Sequence, residues 1–180
     1  MTINALQILQ KHTPRGSIGI VIPPDKNFDQ IKELILNSLV NHDKIHFVVG
    51  KIHFENWNPT QHKLEICMFC QQFNPVIWID SDVFVLKDLV PFAESFFESK
   101  KAMAVLSDHV NRDQLFVSNW EDGPDKCFVP QACYMLFRSD MIPSFFQLWE
   151  HPDPSPLFAG SAFCIEQYAL GQTIVRYFNV

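Results

Sequence analysis

Two periodicities alternate along this chain. Ser17 to Ile22 (SIGIVI) is a β-branched run stopped by Pro23-Pro24, which predicts a first strand with a loop at its C-terminal end. A 3.6-residue apolar period follows, with Phe28, Ile31, Leu34, Ile35 and Leu39 on one face. It predicts a helix capped by Asn27 or Asp29 and reaching about Asn41. Ile45 to Val49 (IHFVV) predicts a second strand closed by Gly50, then a loop over residues 51–60. Residues 60–73 read as a helix with Leu64, Cys67, Met68 and Phe73 facing inward. Residues 3–12 read as a short helix or a loose lead-in.

The next apolar run, Val76-Ile77-Trp78-Ile79, has no polar alternation and predicts a strand buried on both faces. It stops abruptly at Asp80-Ser81-Asp82, and a second apolar run, Val83 to Leu86, follows at once. A helix over 90–99, a strand over 102–106 and a hairpin-like excursion or flap over 111–127 come next. The stretch 128–137 holds a strand, Tyr134 to Phe137, and a helix runs from Asp140 to about Glu150. The proline-rich His151–Pro156 segment cannot be regular helix. A last helix over 162–170 and a final strand over 173–178 complete the pattern. Strands alternating with helices predict one α/β domain over residues 1–180, a sandwich around a mainly parallel sheet. Open α/β sheets bind ligands at the carboxyl edge of their strands. Asp25, Asp80, Asp82 and Asp108 all follow predicted strands and are expected on that edge.

Composition narrows the partners. The 180 residues carry 14 Lys and Arg against 20 Asp and Glu, a formal net charge of −6. That balance argues against nucleic acid or an anionic membrane, both of which reward clustered Lys and Arg. Five cysteines (Cys67, Cys70, Cys127, Cys133, Cys164) form no compact framework. Cys67-Met-Phe-Cys70 has CxxC spacing, but no second CxxC or HxxxH completes a zinc site, so core thiols are expected. The first residues lack an apolar stretch of signal-peptide length, and no window reaches the length of a membrane span. A cytoplasmic protein is the expectation.

The Asp80-Ser81-Asp82 step carries the chemistry. Two carboxylates at i and i+2 are costly beside an apolar run unless something pairs with them. A divalent cation with attached phosphates is a natural partner, since hard oxygen ligands suit Mg²⁺ or Mn²⁺.

This stretch resembles the DxD site of GT-A fold glycosyltransferases, and most closely family 8, the glycogenin and galactinol-synthase type. The strand–DxD–apolar pattern of that family stands here as Val76-Ile-Trp-Ile-Asp80-Ser-Asp82-Val-Phe-Val-Leu-Lys-Asp-Leu89. Lys63-Leu64 matches the Lys-Leu pair that opens the preceding helix. Gln131-Ala132-Cys133-Tyr134-Met135-Leu136-Phe137 takes the place of a strand that the family begins with Asn-Ser-Gly, and Glu166-Gln167 that of an acidic-Gln pair. The resemblance implies the three-layer GT-A sandwich and transfer of a sugar, with retained configuration, from a nucleoside-diphosphate donor to an acceptor hydroxyl. A UDP-sugar is favoured; the acceptor is unknown. It implies Asp80 and Asp82 as ligands of Mn²⁺ or Mg²⁺, and Ser81, Pro23 and Asp25 beside the ribose and base. It further implies Lys63 at the diphosphate or sugar, Gln131 on the acceptor side, and Glu166 and Gln167 at the reacting sugar. Lys63 reads equally as a surface lysine at a polar helix start, Glu166 as a carboxylate favoured by a helix dipole, and His109 as an ordinary polar residue.

The family usually supplies a third metal ligand, a His beyond the last strand, and no His follows His151. Two alternatives therefore stay open. One is a small or truncated relative that binds nucleotide-sugar with weak or no turnover. The other is a haloacid-dehalogenase-like phosphatase, which also places DxD after a strand. Homo-oligomerisation is left open.

Overall fold

The computed structural model describes residues 3–51, 59–107 and 130–139, with Phe145, Gln147, Leu148, Leu170, Gly171, Thr173, Ile174 and Tyr177. The chain is mixed α/β, and its described strands form two small sheets. It opens with helix α1 (Ile3–His12), strand β1 (Ile18–Ile22), helix α2 (Phe28–Ser38) and strand β2 (Ile45–Val49). β1 and β2 pair in parallel from Ile18↔Ile45 to Ile22↔Val49, as a helical crossover demands. Leu6 of α1 and Ile35 and Leu39 of the α2 segment bury against Ile18, with Leu9, Ile20, Ile31, Ile45 and Phe47 around them.

Two features set the limits of α2. Asn27, not Asp29, is the N-cap: its side chain accepts the Gln30 backbone N–H at 3.1 Å. The helix stops at Ser38, short of the predicted Asn41, because Leu39 turns extended and drops into the core. Helix α1 then clamps that end. Gln7 donates to the Ser38 carbonyl at 2.8 Å and Gln10 to that of Asn41 at 2.7 Å, while Gln10 Oε1 accepts the Val40 N–H at 3.0 Å.

The predicted helix over 60–73 is instead a 3₁₀ helix, Pro59–Glu65, passing into a short α-helix α3, Ile66–Cys70. Strand β3 (Val76–Ile79), helix α4 (Val90–Glu98), strand β4 (Met103–Ser107) and strand β5 (Pro130–Phe137) complete the described elements. α4 begins at Val90, where Asp88 accepts the backbone N–H at 3.0 Å. Val83 to Leu86 is not a strand: Val85 is buried while Phe84 and Leu86 face outward.

The expectation of a mainly parallel sheet needs correction. β5 lies between β3 and β4 and is antiparallel to both, with Trp78↔Met135 and Val105↔Met135 in register and a shift at Val105/Leu106. β3 is half-buried along its length rather than buried on both faces, since one of its edges borders a cleft. Leu64, Ile66, Cys70, Met135, Phe137, Phe145 and Leu170 form the core of this half. The predicted strand over 173–178 is also corrected: Thr173, Ile174 and Tyr177 are helical. Leu170, Ile174 and Tyr177 fall at i, i+4 and i+7 and pack on one core, so a helical stripe lay inside a run read as β-branched. The expected flap over 111–127, and Asp108 and His109, lie outside the described residues. No described helix is long and apolar enough to cross a membrane.

Candidate functional site

The 3₁₀ helix assembles the site. In that geometry residues three apart lie on the same face, so His62 and Glu65 stand one above the other, and both are buried. They meet the end of β2. The His62 ring packs so closely on Gly50 that a Cβ there would lie 2.5 Å from Nδ1. Glu65 Oε1 accepts the Lys51 backbone N–H at 2.7 Å. On the loop after β1, the Lys26 ammonium lies 2.9 Å from Asp25 and holds that carboxyl below the usual carboxylate range, with the charge of His62 contributing least.

Lys63, next along, faces the end of β3. Its Nζ donates to Asp80 Oδ2 at 3.0 Å, and the lysine is buried. The reading of Lys63 as a surface lysine is thereby corrected: a buried ammonium requires a partner, and Asp80 is one. Trp78 and Asp80 are two residues apart at the end of a strand and so project to one face. The Trp78 indole N–H donates to Asp80 Oδ1 at 2.6 Å. Both carboxylate oxygens are thus engaged. The backbone is fixed as well, because the Asp80 N–H donates to the Cys133 carbonyl at 2.9 Å and extends the β3–β5 ladder by one step. Val83 N–H donates back to the Asp80 carbonyl at 3.1 Å, closing the turn that carries Ser81 and Asp82 outward, where both are exposed.

The C-terminal ends of β2 and β3 therefore meet at His62-Lys63, and Asp80 and Asp82 lie together at that edge. A cleft of about 770 Å³ opens beside it. All of β1 and all of β3 line it, with His62, Lys63, Pro23 and Asp80 to Asp82 among its lining residues. The half-buried Cys133 thiol is close enough to feel this corner. Burial raises its pKa first and the Asp80 carboxylate second, with Lys63 acting against them.

The donor chemistry at the corner suits a hard divalent cation. Mg²⁺ commonly takes one or two protein carboxylates and completes its shell with water and substrate phosphates, and Asp80 and Asp82 offer such a pair. Among the described residues no group of three His, Cys, Asp or Glu converges to hold an ion by protein alone.

Of the residues singled out in the sequence, Asp80, Lys63, Pro23, Ser81 and Asp82 line one cleft, whereas Asp25 is not among its lining residues and is exposed beside Lys26. Gln131 is placed in β5 by its backbone, opposite Leu106. Glu166 and Gln167 lie outside the described residues. Sequence reasoning missed His62, Glu65 and the polar role of Trp78. The i, i+3 spacing of His62 and Glu65 after Pro59, and the i, i+2 spacing of Trp78 and Asp80, are the signals that point to them. Comparison with protein-family models, curated proteins and solved structures found no match to this chain.

Proposed function

We propose that the chain is a GT-A-type glycosyltransferase that binds a nucleoside-diphosphate sugar, with UDP favoured, and transfers the sugar to an acceptor hydroxyl. The observation that carries the reading is Asp80, held between Lys63 and Trp78 at a cleft lined by β1 and β3, with the end of β2 packed on His62 beside it. The cleft volume falls within the range of roughly 300–1,000 Å³ typical of small-molecule sites. The arrangement of β5, antiparallel between β3 and β4, is compatible with a GT-A sandwich and with other α/β folds alike.

Asp80 and Asp82 are the residues that would hold Mn²⁺ or Mg²⁺, whose contribution when bound is to neutralise the charge of the leaving diphosphate. The chain's own contribution is positioning. Trp78 and the β3–β5 ladder fix the Asp80 carboxylate, and Lys63 brings a positive charge to the edge where an anionic leaving group departs. A second reading, binding of nucleotide-sugar without turnover, is favoured by one observation: the Asp80 carboxylate is already neutralised by Lys63.

Calorimetric titration of UDP tests the site. Binding that requires Mn²⁺ in the wild type and is lost in Asp82→Ala is expected. Binding indifferent to Mn²⁺, or absent from both proteins, would sink the proposal. Release of sugar from UDP-sugars, or its transfer, then separates the enzyme from the binding protein.

A further inference from the structure

Asp80 presents a conflict between what the residue is for and what it is doing. The proposed site needs this carboxylate for a cation, yet Oδ2 already accepts from the Lys63 ammonium at 3.0 Å and Oδ1 from the Trp78 indole at 2.6 Å. The lysine is buried and carried on a 3₁₀ helix anchored by Glu65, whose carboxylate accepts from the backbone of Lys51. It is therefore a built element of the corner and not a surface charge that happens to lie nearby.

We infer that Lys63 is a resident placeholder for the divalent cation, so that the site discriminates against free metal and accepts it together with a nucleoside diphosphate. The inference rests on the nucleotide reading above. With Lys63 on Asp80, the net charge of the three side chains Lys63, Asp80 and Asp82 is −1 rather than −2. A free divalent ion thus meets half the attraction and a positive charge at the oxygen it needs. No described trio of protein ligands offsets that repulsion. A diphosphate changes the balance, because it supplies oxygen ligands of its own and a new anionic partner for the ammonium. Lys63 then leaves Asp80 for the diphosphate, and no buried positive charge is stranded by the exchange. In the absence of nucleotide the same pairing keeps Asp80 neutralised and in position, which accounts for a lysine buried at a cation site.

Lys63→Met and the wild type are compared by the electron paramagnetic resonance of free Mn²⁺, with and without UDP. Removing one positive charge from the corner is expected to tighten free Mn²⁺ by about tenfold or more. The same change is expected to weaken UDP in the presence of Mn²⁺ by about fivefold or more, through the lost partner of the diphosphate. Equal affinity for free Mn²⁺ in the two proteins overturns the inference.

A measurement on the wild type alone guards against misfolding of the variant. Acetylation of the Lys63 amine, followed by mass spectrometry, is expected to be slow in the free protein, faster at saturating Mg²⁺, and slow again once UDP is added. Acetylation unchanged at a Mg²⁺ concentration that displaces Mn²⁺ from the protein overturns the inference too. If Mg²⁺ uncovers Lys63 but UDP binds neither protein, the exchange at Asp80 stands and the nucleotide reading falls. If UDP and Mn²⁺ bind together while Lys63→Met leaves free Mn²⁺ binding unchanged, the nucleotide reading stands and the placeholder falls.

Discussion

Lys63→Met should destabilise the fold by an amount that its surroundings bracket. The Lys63 side chain is 7% exposed and that of Asp80 25%, so the pair lies between two known limits. Exposed ion pairs contribute about 0–1 kcal/mol, whereas removing one partner of a fully buried pair costs about 3–5 kcal/mol. Asp80 retains the Trp78 donor and some access to water, which places the loss at about 2–3 kcal/mol. For a chain of this size that is a fall in melting temperature of about 5–10 °C. Asp80→Asn should cost a comparable amount, because it removes the carboxylate charge facing the buried ammonium, although an amide oxygen can still accept from Trp78. In the double variant neither charge is left alone. The two losses should therefore fail to add by about 2 kcal/mol, as expected of side chains in contact. Urea denaturation of the four proteins at neutral pH gives the cycle directly. Additive losses, or a Lys63→Met protein as stable as the wild type, would refute the description of Lys63 and Asp80 as a buried, mutually dependent pair.

Two further outcomes follow from the surroundings of the site. Gly50→Ala would bring a Cβ to 2.5 Å from His62 Nδ1, so the ring and the 3₁₀ helix must move. A loss of about 1–3 kcal/mol is expected by urea denaturation, and unchanged stability would contradict the packing of His62 on β2. Burial pushes the Cys70 thiol up from 9.0 to about 12, with Cys67 adding to it. The folded state then holds a proton that the unfolded chain releases above pH 9. Stability is full below pH 9 and should fall by about 1.4 kcal/mol for each pH unit from there to about 12. Cys70→Ala should make the alkaline slope shallower by that amount, leaving the share of Cys133 and Tyr134, whose pKa values burial also raises; a slope unchanged by the substitution would assign it elsewhere.

The sequence made the elements legible wherever the apolar period was uninterrupted. β1, α2, β2, β3, α4 and β4 fall within a few residues of their predicted bounds, because each has one dominant period and a Pro, Gly or polar stop. It failed where two periods compete. The stretch from Pro59 to Cys70 carries polar residues at three-residue spacing followed by apolar ones, and the chain answers with a 3₁₀ turn before an α-helical one. Ile174 and Tyr177 belong to a helical stripe that a β-branched neighbourhood conceals. The direction of β5 was not legible, because strand polarity depends on the route of the connection and not on the strand's own residues. At the site, Asp80 and Asp82 were legible from the cost of carboxylates beside an apolar run. The burial of Lys63 was not, since nothing local distinguishes a lysine that turns inward from one that turns out.

The hydrogen bond from Trp78 to Asp80 has an optical consequence. Indole emission responds to the charge and polarity around its N–H, and this N–H points at the carboxylate where ligand charge is expected to change. The chain has four tryptophans, so a Trp78→Phe protein serves as the blank against which this one fluorophore is read. The difference spectrum would be an unlabelled gauge of occupancy, able to follow titrations and millisecond mixing without an assay of turnover.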